Sequence, residues 1–242
     1  PLRLSVEGYR FLRSAEKILP ELDALKMELI NVKDGNAGRL HIAIECHACF
    51  EWLFPVLNIF RQSFPNVDID IRPGLSFRAL PALSEGEVDV VISSDPERIS
   101  EVEFHELFSY APTFIVSKEN SLSQKSFIEA NDLAEETLIT YPVERSRLDV
   151  FSQFLLPAKV EPKLVRQVEL TAVILLLVGA NKGVSVIPDW VLGSSNLSPD
   201  LTALPLTKYG LSRTLHAATR EEASLKPYVI KFIELCRVGL SH

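Results

Sequence analysis

The spacing of apolar positions changes character near residue 38. Before it, Ile18, Leu22, Leu25, Leu29 and Val32 recur at intervals of 4, 3, 4 and 3 with charged residues between them. That is the heptad seam of an amphipathic helix over residues 5–32, with Ser5 as its N-cap. Pro20 falls inside the pattern and predicts a kink or break near Ile18, since an interior proline costs about 3 kcal/mol. The run Asp34-Gly35-Asn36-Ala37-Gly38 then detaches the helix from the globular part of the chain. A detached seam favours a dimerisation surface, built on Ile18, Leu22, Leu25 and Leu29, over packing on its own domain.

After residue 38, short apolar runs alternate with helical patterns, the mark of a mainly parallel α/β sheet. Residues 40–44 read as a buried strand that stops at the polar turn Glu45-Cys46-His47-Ala48-Cys49. A helix over 49–64 comes next, with Trp52, Leu53, Val56, Leu57, Phe60 and Phe64 on one face. Residues 67–71 form the next strand, and the turn Arg72-Pro73-Gly74-Leu75-Ser76 opens a short helix ending near Gly86. Residues 88–92 end at Ser93-Ser94-Asp95-Pro96, and a β-rich stretch over 104–117 is broken at Tyr110-Ala111-Pro112.

The plan then repeats. A strand over 138–141 leads into the turn Pro142-Val143-Glu144-Arg145-Ser146 and a helix over 150–156, then a strand over 164–168. Thr171 caps an apolar helix that closes at Asn181-Lys182-Gly183. Strands over 184–187, 201–206 and 213–219 and a final helix over 226–238, returning to the first unit, complete the chain. The result is two α/β lobes around a cleft, divided as 38–115 plus 215–242 and 116–214, with 1–37 set apart. In open α/β sheets small ligands settle at the carboxyl ends of strands, where helix N-termini present free N–H groups. The turn 45–49 is therefore expected to touch a ligand.

Composition supports a folded, soluble chain: 47% hydrophobic and 24% charged over 242 residues. A net charge of −7 disfavours wrapping nucleic acid unaided. Residues 1–39 nonetheless hold seven bases (Arg3, Arg10, Arg13, Lys17, Lys26, Lys33, Arg39) against six acids (Glu7, Glu16, Glu21, Asp23, Glu28, Asp34). Three cysteines argue for a reducing compartment and against a disulfide framework. No apolar run reaches membrane-spanning length and no signal-peptide core is present, so a cytoplasmic location and no membrane partner are expected. The chain opens on Pro1-Leu2-Arg3 without Met, which points to a fragment of a longer protein.

Candidate chemistry centres on the C-x-x-C of Cys46 and Cys49. Structural zinc needs about four ligands, and Cys46, His47 and Cys49 supply at most three locally. A redox pair at a helix N-terminus is a second reading; small polarizable lining residues are a third. No G-x-S-x-G, Walker, G-x-G-x-x-G or H-E-x-x-H pattern occurs, so no catalytic residue, metal or cofactor is assigned. His41 and His216 read as satisfied structural histidines. What recurs at strand ends is small hydroxyl, thiol and backbone donors, suited to a small polar anion or zwitterion.

The opening Leu4-Ser5-Val6-Glu7-Gly8-Tyr9-Arg10-Phe11-Leu12, the linker into Gly38-Arg39-Leu40-His41-Ile42-Ala43 and the two α/β lobes resemble a LysR-type transcriptional regulator from the end of its winged helix-turn-helix onward. Within that family, the runs ECHACFEWLFP, PALSEGEVDVVISSD, LITYPVERSRLDVF and GVSVIPDWV are similar to the homocysteine-responsive regulators of methionine biosynthesis. The resemblance implies a periplasmic-binding-protein-like effector domain behind a dimerising linker helix, in a homodimer or homotetramer that reaches promoter DNA through the winged helix-turn-helix. It implies an amino-acid effector, homocysteine, held by Cys46, Ala48, Cys49, Gly74, Leu75, Ser76, Ser94, Tyr141, Pro142, Arg145 and Ser146; His47 in the first turn and Thr171, among the polar donors at strand ends, are expected beside them. A solute-binding protein for a small amino acid, or a thiol redox enzyme using Cys46 and Cys49, are the alternative readings.

Overall fold

The computed structural model describes residues 5–33, 37–45, 47–72, 78–194 and 198–238. Its first element, α1 (Val6–Lys33), is capped by Ser5, whose hydroxyl accepts the Gly8 N–H at 3.1 Å. The predicted break does not occur: α1 runs on through Pro20. Proline removes only the single bond that residue 20 would donate four residues back, and the helix is long enough to continue on either side. Ile18, Leu22 and Leu25 are exposed, as are Val6, Tyr9, Phe11 and Leu12. The side chain of Leu29 lies outside the described ones.

The remaining elements, in order, are β1 (Ala37–Ile44), α2 (Phe50–Ser63), β2 (Asn66–Ile71), α3 (Ala79–Ser84), β3 (Val90–Ser93), β4 (Val102–Tyr110), β5 (Pro112–Ser117), β6 (Thr137–Thr140), α4 (Leu156–Ala158), β7 (Leu164–Gln167), α5 (Thr171–Gly179), β8 (Val184–Pro188), α6 (Trp190–Ser194), β9 (Leu201–Pro205), β10 (Arg213–Arg220) and α7 (Pro227–Val238). They form two five-stranded sheets, ordered β2-β1-β3-β10-β4 and β7-β6-β8-β5-β9. This is the two-lobed, periplasmic-binding-protein-like α/β fold.

Each sheet has three parallel strands, β2-β1-β3 or β7-β6-β8, and a fourth that arrives from the other half of the chain and runs antiparallel. The fifth strand, β4 or β9, is antiparallel to that one and so runs with the first three, which leaves each sheet mainly parallel with one reversed strand. The cause is the double crossing: a strand entering from the opposite lobe starts at the cleft, where the parallel strands end, and so runs the other way. β5 pairs along its length with β8 and β9, so the first crossing lies between Tyr110 and Pro112. The return precedes β10, which begins at Arg213. Residues 112–115 and 213–214 thus sit across the boundaries drawn at 115/116 and 214/215. The first crossing thus falls at the break read in the sequence at Tyr110-Ala111-Pro112, and not at the boundary drawn after residue 115.

α2 and α7 cover one face of the first sheet, where Phe60 meets Phe232 edge-on at 5.9 Å. α7 thus returns to the first lobe as the apolar pattern predicted. In the second lobe, residues 150–155 form a π-helix that leads into α4 and stops at Lys159 in the left-handed region (φ 56°). The N-cap of α5 is Leu170, and Thr171 makes no cap bond. Past α5 the left-handed residue is Asn181 (φ 52°), while Gly183 (φ 150°) opens β8 so close to β6 that a Cβ there would collide with the Thr137 carbonyl. No helix among the described residues is long and apolar enough to cross a membrane.

His41 is the satisfied structural histidine expected. Asp89 accepts from the His41 backbone N–H at 3.0 Å, lies 3.2 Å from its Nδ1, and accepts from Lys226 at 3.1 Å. His216 departs from that expectation, because its buried Nδ1 has no partner. Burial pushes the Asp89 carboxyl up, but the His41 N–H and Lys226 outweigh it and hold the carboxyl below its ordinary 3.8. A lowered folded value stabilises above 3.8, and that contribution is lost as pH falls through the folded value. Asp89→Ala is expected to cost about 2 kcal/mol at neutral pH in urea unfolding, with the difference from wild type shrinking below pH 3.8.

Candidate functional site

The two sets of strand ends face each other across a cavity of about 80 Å³. One water needs roughly 10–15 Å³, so the cavity takes several waters or one small organic molecule. Glu45 follows β1, Ser94 and Asp95 follow β3, Thr140 and Tyr141 close β6, and Pro188 closes β8. Tyr110 and Pro112, on either side of the first crossing, complete the ring. Ala48, Val143, Leu148 and Ile187 make much of the wall apolar.

Two groups of charges join the lobes here. Glu45 lies 2.6 Å from Arg147 through Oε1, and its side chain is only 8% exposed. Its other oxygen, Oε2, is buried without a hydrogen-bond partner among the described residues, and so is the Thr140 Oγ1. In the second group, Arg213 donates to Asp95 at 2.6 Å and to the Ser94 carbonyl at 3.0 Å. Its Nε approaches Asp149 at 3.1 Å as an ion pair without hydrogen-bond alignment. The Tyr110 hydroxyl donates to the other Asp149 oxygen at 2.7 Å.

Burial lifts the Asp149 carboxyl above its ordinary value; Tyr110 and Arg213 pull it down, and the neighbouring Asp95 adds to the rise. Burial pulls the Arg213 guanidinium down, but Asp149 and then Asp95 outweigh it and hold it above its ordinary value. Both directions follow from two carboxylates sharing one cation in a half-buried place.

Trp190 of α6 pins the lobes together. Its indole N–H donates to the Ala48 carbonyl at 2.8 Å, and its ring packs against Tyr110 at 4.7 Å and Phe108 at 5.8 Å. The short 3-10 turn His47–Cys49 is thereby held against the second lobe.

Of the residues expected at the site, Ala48, Ser94 and Tyr141 line the cavity. Cys49 is fully buried beside Ala48 and is not on the wall. Pro142 and Thr171 line a shallower neighbouring opening with Glu51 and Glu169, and the Thr171 hydroxyl meets the Tyr141 hydroxyl at 2.8 Å. Arg145 turns away to Glu161 at 2.7 Å and over the Phe151 ring at 4.8 Å, and Ser146 is exposed. Cys46, Gly74, Leu75 and Ser76 lie outside the described residues, as does the side chain of His47. Among the described residues no three of His, Cys, Asp and Glu group so as to hold a metal ion.

Sequence reasoning misses Asp95, Tyr110, Thr140, Arg147, Asp149 and Arg213. For Asp95 and Thr140 a signal exists, since Thr140 ends an apolar run and Asp95 lies in the polar turn that ends another. Arg147 is separated from Arg145 only by which side of the 3-10 turn Arg145–Arg147 it occupies. Arg213 opens a strand, and nothing local marks it. Replacing Arg213 with Met should leave Asp149 and Asp95 facing each other unpaired. The expected loss is about 2–4 kcal/mol by chemical unfolding, with part recovered toward acid pH as the carboxyls protonate.

Comparison with known proteins bears directly on this cleft. The family described as LysR substrate binding domain matches residues 33–240. The HTH-type transcriptional regulator MetR of Escherichia coli (strain K12) is 36% identical over 237 residues, covering 98% of this chain and 73% of that protein. MetR of Haemophilus influenzae is likewise 36% identical, over 97% of this chain and 75% of its own length. Among solved structures, the regulatory domain of MetR from N. meningitidis superposes with a TM-score of 0.78 at 34% identity, covering 84% of this chain and 93% of that one. Full-length CbnR, solved in complex with its target DNA, shares the fold at a TM-score of 0.76 and 20% identity, over 99% of this chain and 83% of its own.

Proposed function

The chain belongs to the LysR family of transcriptional regulators, and from that premise we propose that it senses homocysteine in the inter-lobe cleft of a MetR-type regulator of methionine biosynthesis. Its role is regulatory, as in its relatives, and not that of an enzyme. The observation that carries the reading is the cavity between the strand ends, with Glu45 Oε2 and Thr140 Oγ1 buried in its wall and lacking partners. Buried polar atoms without partners are rare in folded proteins, and a small polar ligand would complete both. The apolar wall of Ala48, Val143, Leu148 and Ile187 suits the short alkyl thiol of homocysteine. Cys49, packed behind Ala48, adds a polarizable neighbour.

The effector acts by binding one arrangement of the lobes more tightly than another, since only differential affinity shifts a conformational equilibrium. The Glu45–Arg147 pair and the Asp95–Arg213–Asp149 group are the contacts such a shift would strengthen or release. The exposed seam of α1 is the dimerisation surface of this reading, in a cytoplasmic homodimer or homotetramer. Promoter DNA is then reached, in this reading, through a winged helix-turn-helix; the relatives are named HTH-type transcriptional regulators.

Calorimetric titration with homocysteine is expected to show saturable binding, with methionine and cysteine weaker; equal or absent binding of all three would remove the homocysteine assignment. In sedimentation, deleting residues 1–36 is expected to lower the mass of the assembly. An unchanged mass would move the dimer contact off α1.

A further inference from the structure

The residues around the cleft do not favour all small carboxylic acids equally. Three acids, Glu45, Asp95 and Asp149, stand against two bases, Arg147 and Arg213. Asp95 and Asp149 are shared by Arg213, and Asp149 is further held by Tyr110. Glu45 is different. One of its oxygens lies on Arg147 at 2.6 Å, while Oε2, on a side chain 8% exposed, is buried with no donor. A carboxylate oxygen withdrawn from water without a donor is costly, and a cationic N–H brought by a ligand relieves that cost.

Resting on the effector reading above, we propose that Glu45 binds the ammonium group of the effector, so that the cleft selects α-amino acids over the corresponding simple carboxylic acids. Arg147, already beside Glu45, is the cation nearest to hand for the ligand carboxylate. A zwitterion thereby adds one charge of each sign to a place that holds one of each. A monoanion would add a second negative charge to a wall that already carries a negative surplus, and would leave Glu45 Oε2 without a donor. The position of Glu45 is set by the fold: it follows the last residue of β1, and its backbone N–H donates to the Ile92 carbonyl of β3 at 3.0 Å.

The test is calorimetry on the whole chain with matched pairs differing only in the amino group: homocysteine with γ-mercaptobutyrate, methionine with γ-methylthiobutyrate, and leucine with isocaproate. Wild type is expected to favour the amino acid of whichever pair binds by roughly 10- to 100-fold. Glu45→Gln, its folding checked by thermal unfolding, is expected to weaken the amino acid by about that factor and largely erase the preference. Equal binding of both members of a pair by wild type would overturn the proposal, as would a preference that survives intact in Glu45→Gln. If the variant does not fold, the wild-type preference alone decides. Binding of methionine or leucine but not homocysteine, with the preference present and lost in Glu45→Gln, would sink the homocysteine assignment and leave this proposal standing. Absence of binding by every pair would overturn both.

Discussion

The hydrogen bond from the indole N–H of Trp190 to the Ala48 carbonyl lies at the centre of the contacts that hold the two lobes together around the cleft. Ala48 lies in the turn after β1 of the first lobe, and Trp190 begins α6 after β8 of the second. The bond is buried, so breaking it would strand a donor and an acceptor away from water, at a cost of about 1–3 kcal/mol. Tyr110 and Phe108, both on β4 as it approaches the crossing, pack against the same ring. The aromatic contact therefore fastens the second lobe to the hinge strand, and the apolar core continues from one lobe into the other around it. The cavity lies beside this junction because Ala48 and Tyr110 are also two of its walls.

The charges at the cleft follow from the same geometry. β4 and β10 pair antiparallel, so the end of the strand leaving the first lobe, at Tyr110, lies opposite the start of the strand returning to it, at Arg213. A cation placed there is within reach of Asp95 behind β3 and of Asp149 in the second lobe. Interior ion pairs of this kind do little for net stability compared with apolar packing, but they strongly penalise any arrangement in which one partner is left alone. The Asp95–Arg213–Asp149 group therefore specifies a register between the lobes. That property suits the proposed reading, in which the effector acts by shifting the lobe arrangement.

The architecture is largely legible in the sequence, and the site only partly so. Strands such as β1 and β8 are visible because each is a short run of branched apolar residues ended by a polar turn, and α2 because its face repeats at helical spacing. The continuity of α1 through Pro20 is not, since a local penalty says nothing of the length of helix on either side. The mixed pairing of β5 and β10 is a long-range fact without a local period. At the site, Ala48, Ser94 and Tyr141 are accessible to sequence reasoning because they follow strand ends. The turn after β6 points to Arg145 as readily as to Arg147, yet Arg145 faces Glu161 and solvent, because sequence proximity does not reveal which way a 3-10 turn aims its side chains. Thr171 has the sequence position of a helix cap, and its hydroxyl instead meets Tyr141. The pairing of Arg213 with Asp95 and Asp149 needs three dimensions, since both are distant along the chain, and so does that of Glu45 with Arg147.

β1 connects the cleft to the helix that stands outside it. The strand begins at Ala37, just beyond α1, and ends at Ile44, immediately before Glu45. Eight residues of strand span roughly 26 Å, so the end of α1 and the carboxylate of Glu45 lie at opposite ends of one strand, exposed where it begins and buried where it ends. β1 is held on both sides, by β2 along six paired positions and by β3 along three. A strand bonded on both edges does not stretch or slip by a fraction of a register. Any displacement of Glu45 relative to the second lobe is therefore carried by the first lobe as a body. In the proposed reading, what α1 experiences is then a change in the position of the second lobe relative to the first. The differential contacts proposed for a ligand, with Glu45 on one side and with Tyr141 and the wall around Arg147 on the other, would bias that position.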